Sequence, residues 1–117
     1  MKTQIIGKFG EDAAAEYLEY KDYEIIARNF SCGSGEIDII ARDGDTTVFA
    51  EVKTRSSDKY GTPAEAVGYE KQKKIKKTAM FFMSAEADMR FDVIEVYYNI
   101  ADGRARLSKI NHIKNAF

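Results

Sequence analysis

The sequence predicts a mixed β-sheet of about five strands flanked by helices, an α/β or α+β arrangement, on three observations. Residues 3–21 repeat apolar side chains at helical spacing. Residues 35–55 hold two runs dense in Val, Ile, Thr and Phe around Asp43-Gly44-Asp45, the composition of a hairpin. A lysine-rich helical stretch near 70–84 is followed by two further alternating runs. The resulting order is helix, three strands, helix, two strands. At 117 residues the chain predicts one domain with a core of its own, and 44% apolar with 32% charged residues is the balance of a globular protein.

In the first helix Ile6, Phe9, Ala13, Tyr17 and Tyr20 fall on one stripe, with Lys8, Asp12, Glu16 and Glu19 opposite. Glu11 stands at the border of that stripe, where a solvated boundary carboxylate is the ordinary reading. Gly7 and Gly10 cost a helix stability, which predicts a close approach to the backbone there. Residues 23–30 read as the first strand, and Ser31-Cys32-Gly33-Ser34 as a loop. Cys32 is the only cysteine, so there is no disulfide framework, and a bystander thiol on the surface is expected.

The hairpin carries the chemistry. Alternation places Ile37, Ile39 and Ala41 on one face of its first strand, and Glu36, Asp38 and Ile40 on the other. Val48, Ala50 and Val52 share a face of the second strand, opposed by Phe49, Glu51, Lys53 and Arg55. The wholly apolar sets must face one core, which leaves two registers, with Asp38 opposite Glu51 or opposite Phe49. Either one gathers Asp38, Glu51 and Lys53 on one face. Paired carboxylates repel, and a divalent cation such as Mg2+ offsets them while keeping waters for a phosphate substrate. An ion-pair network without metal is the plainer alternative. Glu36 reads as a further acid of the site or as a cross-strand partner of Lys53.

After Arg55 the chain turns polar through residue 61, then Thr62-Pro63-Ala64-Glu65 carries helix-start signals. A longer helix is expected over 70–84, with Ile75, Ala79, Phe82 and Met83 inward and Lys71 and Gln72 at its inner edge. Lys73, Lys74, Lys76 and Lys77 lie on or near its outer faces, either as a solvated surface or as a phosphate-contacting one. Residues 91–98 and 104–110 read as the last strands, joined by Asn99-Ile100-Ala101-Asp102-Gly103. His112 is the only histidine, so neither a zinc site nor a His-based triad is expected. No run approaches the ~20 apolar residues of a membrane span, and the N-terminus lacks a signal-peptide core, so a cytoplasmic, membrane-free protein is expected. The net charge of -1 does not by itself announce a nucleic-acid binder; charge distribution decides.

Asp38, a gap of twelve residues and Glu51-Val52-Lys53 together resemble the PD-(D/E)XK signature of restriction-endonuclease-like nucleases. Gly35-Glu36-Ile37-Asp38 and Glu51-Val52-Lys53-Thr54-Arg55 resemble, more narrowly, the YraN-type bacterial family, itself likened to Holliday junction resolvases. The similarity continues through Gly10-Glu11-Asp12-Ala13, Arg28-Asn29, Gly61-Thr62-Pro63, Lys71, Arg90-Phe91-Asp92-Val93 and Asn115-Ala116-Phe117, nearly the whole chain. The residue before Asp38 is Ile37 rather than the proline of the superfamily's name.

The resemblance implies a restriction-endonuclease-like core and a metal-dependent endonuclease acting on branched or otherwise structured DNA. Asp38, Glu51 and Lys53 become the catalytic residues, with Asp38, Glu51, the Val52 carbonyl and Glu11 around Mg2+ or Mn2+. Arg55, Lys71, Gln72 and Lys74 become contacts to nucleic acid. A homodimer would suit a nuclease that cuts two strands. A nucleic-acid-binding module that keeps the fold without catalysis is the alternative.

Overall fold

The computed structural model describes residues 2–59, 67–83 and 88–117. Its elements are α1 (Thr3–Tyr20), β1 (Glu24–Cys32), β2 (Gly35–Asp43), β3 (Thr46–Ser56), α2 (Tyr69–Phe82), β4 (Met89–Ala101) and β5 (Arg104–Ile113). One five-stranded sheet runs β1-β2-β3-β4-β5 in space as in sequence. The β3–β4 pair is parallel and the other three are antiparallel. Tight turns suffice for antiparallel neighbours, whereas a parallel pair needs a long crossover, which the segment bearing α2 supplies. This is the mixed sheet with helices that the sequence predicts, and it is consistent with a restriction-endonuclease-like core.

The two helices lie on opposite faces. α1 covers a core of Ala14, Ala15, Leu18, Ile39, Ala41, Val48, Ala50, Ile94 and Val96. Beneath α2, Ile37, Ile40, Phe49, Ile75, Ala79, Phe91 and Val93 form the second. Phe49 is fully buried there, stacked on Phe91 at 5.5 Å between centroids and edge-on to Phe82. Burying one such ring contributes ~1.5–3 kcal/mol.

Several local expectations change. The buried line of α1 is Gly10, Ala14, Ala15 and Leu18, while Tyr20, expected inside, is 84% exposed. The reason is close packing: a Cβ on Gly10 would come within 1.9 Å of Thr54 Oγ1, so the helix axis sits against β3 through its smallest residues. At Gly7 the expected close approach is absent, with nothing within 4 Å. Ser31 and Cys32 extend β1, leaving only Gly33-Ser34 as the turn. Ser56 likewise extends β3, and a 3-10 turn follows over Ser57–Lys59. The helix-start signals at 62–65 fall outside the described residues.

Of the two hairpin registers, the chain adopts the one in which Ile39 pairs with Ala50 and Ile40 with Phe49. Continued by one step, it sets Asp38 level with Glu51. Ile37 departs from strict alternation and joins the α2 core rather than following Ile39. The departure lies across from Asn29 of β1, which stands between the pairs Arg28↔Ile39 and Phe30↔Ile37 with φ of 53°.

Candidate metal and nucleic-acid site

Asp38 sits where the sheet opens. The β2–β3 ladder ends at Ile39↔Ala50, and beyond it the Asp38 carboxylate replaces the backbone as partner of β3: the Val52 N–H donates to Oδ2 at 2.8 Å. The opening leaves a groove of about 310 Å³ between the hairpin and α2, lined by Glu36, Asp38, Glu51, Lys71, Lys74 and Ile75 among others. Glu51 is buried, and Lys71 reaches it from α2, Nζ to Oε1 at 2.5 Å. That contact holds the Lys71 ammonium above its ordinary range.

The Asp38 carboxyl is pushed up to about 7, by burial first and then by the charge of Glu51, with Glu11 adding to it. The Val52 N–H and Lys71 pull the other way without cancelling it. Folding has therefore placed one carboxylate beside another and left the repulsion partly unrelieved.

Lys53 lies two positions beyond Glu51 on the same face, level with Glu95 of β4. It makes no ion pair among the described residues, and the cross-strand pairing expected with Glu36 does not form. Arg55 turns onto β4, with Nη1 donating to Tyr97 Oη at 3.2 Å and lying 3.7 Å from Glu95 Oε2. Gln72 donates to the Val67 carbonyl at 2.8 Å, and Lys74 is exposed at the groove. Two of the outer lysines rest on rings: Lys73 over Tyr69, and Lys76 over Phe91 and Phe117.

Glu11 lines a second, broader groove of about 670 Å³ with Gln4, Gly7, Lys8, Arg28 and Asn29. It acts on Asp38 by charge, and among the described residues no three acidic, histidine or cysteine side chains form a metal-binding group. The donors that do meet, two carboxylates beside the Val52 backbone, are oxygen ligands of the kind a hard cation takes. The repulsion between them is what such a cation would relieve. The donor set fits Mg2+ or Mn2+.

On the α1 face the fold builds a constellation that residue order does not reveal. Asp92 is fully buried and accepts from Arg90 Nε at 2.9 Å and Nη2 at 3.0 Å, from the Asn115 N–H at 3.1 Å, and from His112 Nε2 at 2.7 Å. His112 Nδ1 lies 3.0 Å from the Tyr17 hydroxyl. Arg90 also donates to Asp43 and to the Tyr23 hydroxyl. Burial alone would push the Asp92 carboxyl up, but the donors from His112, Arg90 and Asn115 hold it below the usual range. The Tyr17 hydroxyl is pushed up by burial, which makes it a poor nucleophile. This line ties α1 to β4 and β5. Its only trace in the sequence is that Arg90-Phe91-Asp92-Val93 and Asn115-Ala116-Phe117 belong to the full-length resemblance.

Residues 10–96 match the model of the uncharacterised protein family UPF0102. The chain belongs to this family. A UPF0102 protein of Caldicellulosiruptor bescii is 45% identical over 122 residues, covering all of both chains. One from Syntrophus aciditrophicus is 49% identical over 115 residues, covering 95% of this chain and 87% of that relative. One from Geobacter sulfurreducens is 47% identical over 119 residues, covering 98% and 90%. This UPF0102 chain thus carries the YraN-type resemblance over its full length. Among its described residues no helix is long and apolar enough to cross a membrane.

Proposed function

We propose that this UPF0102 protein is a metal-dependent endonuclease that hydrolyses phosphodiester bonds in DNA, with branched or otherwise structured DNA as substrate. The observation that supports the reading is that Asp38 and buried Glu51 line one groove, with Asp38 held by the Val52 N–H and under the charge of Glu51. Two carboxylates share that opening, and Lys53 lies two positions beyond Glu51 on the same face of its strand.

Asp38 and Glu51, with the Val52 carbonyl, would hold Mg2+ or Mn2+, and Glu11 would support the shell through its charge. Bound there, the cation would lower the pKa of a water and polarise the phosphoryl oxygen. Asp38 must give up its proton to bind, and the Val52 N–H keeps its carboxylate oriented while it does so. Lys71, which holds one oxygen of Glu51, would be within the groove to meet the incoming phosphate, with Lys74 beside it. Lys53 would supply fixed positive charge to orient the attacking water and stabilise the phosphorane. Gln72 would contribute by steadying the segment at Val67, and Arg55 by contacting backbone beyond the scissile bond. A homodimer would give two such sites for two strands.

A second reading is favoured by the Lys71–Glu51 pair, which neutralises Glu51 with no metal at all. A non-catalytic nucleic-acid-binding module would look like this. The test is cleavage of labelled single strand, duplex, flap and four-way junction with Mg2+ or Mn2+, with Asp38→Ala and Lys53→Ala in parallel. Metal-dependent cutting lost in both variants is expected. Binding of a structured DNA without any cutting would replace the nuclease with the module.

A further inference from the structure

The β4–β5 hairpin carries a bulge whose effect is on charge. From Val93↔Ile113 to Tyr97↔Lys109 the register is regular, and after it Tyr98 pairs with Leu107, Asn99 with Arg106 and Ala101 with Arg104. Ser108 is the extra residue. Side chains alternate along a strand, so without the bulge Arg104 and Arg106 would face away from Lys109. With it, all three share the face of Glu95, Tyr97, Asn99 and Ala101. The parallel register Lys53↔Glu95 and Arg55↔Tyr97 carries that face on to the candidate site.

The result is one sheet face bearing Lys53, Arg55, Lys109, Arg106 and Arg104. Arg104, Arg106 and Lys109 are exposed, and neither arginine has an acidic partner among the described residues. The single acid on this stretch of β4, Glu95, is buried and committed to Asn111 at 2.7 Å and to Arg55. Lys109 and Arg55 both lie against the Tyr97 ring, at 5.9 and 5.6 Å from its centroid. Like charges gathered on one face of a sheet cost stability. An anionic ligand lying along this face would offset that cost.

We propose that this face of the β4–β5 hairpin is a nucleic-acid backbone track, which holds the arm of the substrate leading away from the scissile phosphate. The inference rests on the nuclease reading and names the surface that reading uses. It also assigns backbone contact to β5 rather than to the outer lysines of α2. From the row of Lys53 to that of Arg104 the track runs along β4 from Glu95 to Ala101, seven residues and six steps, roughly 20 Å at strand rise. At about 3.4 Å of axis per charge on each strand, that is an arm of about six base pairs.

The experiment is binding of a labelled four-way junction across a salt series, for wild type, Arg104→Gln/Arg106→Gln/Lys109→Gln, and Lys73→Gln/Lys76→Gln/Lys77→Gln. Each lost phosphate contact lowers the salt slope by about one, so the hairpin variant should lose about three and bind at least tenfold more weakly, with KM raised and kcat kept. The α2 variant should keep the wild-type slope. In wild type, trimming the arms below about six base pairs should cost affinity in the same way. A hairpin variant with unchanged slope, or affinity indifferent to arm length, overturns the track while leaving cleavage and its loss in Asp38→Ala intact. A wild type that binds no nucleic acid removes both readings together.

Discussion

Two carboxylates, buried Asp92 and half-buried Asp38, lie on opposite faces of this sheet, and the fold treats them in opposite ways. Asp92 receives two arginine donors, a histidine and a backbone amide, and its carboxyl falls below the usual range in spite of full burial. Asp38 receives one backbone amide and faces Glu51, and its carboxyl rises to about 7. The first is a saturated network that holds α1, β4 and β5 together. The second keeps an unmet electrostatic need at the mouth of a groove, which is why the proposed function is built on it.

The sharpest way to break that contrast is to remove each acid. Asp92→Ala deprives His112 of its carboxylate and leaves Arg90 with only Asp43 and the Tyr23 hydroxyl, and should cost about 3 kcal/mol in urea denaturation. Should it cost less than 1 kcal/mol, the network is not the strut described. Saturating Mg2+ should act only on the other centre. At a hundredfold excess over Kd it should raise wild-type stability by about 2.7 kcal/mol and leave Asp38→Ala unmoved, as read by thermal denaturation.

A smaller effect has the opposite sign to the first. Asp38→Asn removes a like-charge contact, so without metal it should be more stable than wild type at pH 8, by on the order of 2 kcal/mol for a half-buried group. The pH dependence follows from the direction of each shift. Asp38 ionises near 7 when folded and near 3.8 when unfolded, so the wild type loses stability as pH rises through that interval, and the advantage of Asp38→Asn vanishes below pH 4. Asp92, shifted down, does the reverse: its contribution is present above the ordinary carboxylate range and is lost as acid is added. Difference titrations of the two variants should therefore bend in opposite directions. The smallest change is Tyr17→Phe, which removes one hydrogen bond to His112 and should cost ~1 kcal/mol with Mg2+ binding unaltered.

Much of the candidate site was legible in order alone. The alternation of 35–43 and 46–56 puts Asp38, Glu51 and Lys53 on one face, and the demand that apolar faces share a core left only two registers. The inward position of Lys71 followed from the stripe of Ile75 and Ala79, and its reach to Glu51 confirms that direction. Phe9, Ala13 and Tyr17 of the expected stripe of α1 do pack against its core, but apolar bulk does not reveal the closest contact, made by Gly10 against Thr54, nor that Tyr20 stays outside. His112 looked isolated because its partners Asp92 and Tyr17 are 20 and 95 residues away in the chain.

By itself, then, the sequence determined the element order, the hairpin and the pairing of acids with a lysine on one strand face. These are local matters, set by periodicity, turn chemistry and the cost of burying a polar face. Tertiary structure alone decided how the carboxylates are treated. Whether Asp38 is frustrated and Asp92 saturated depends on which distant donors arrive, and whether Arg104 and Arg106 share a face with Lys109 depends on one extra residue in a ladder. Charge energies change steeply over a few ångströms of burial and separation, and that geometry exists only once the strands have paired.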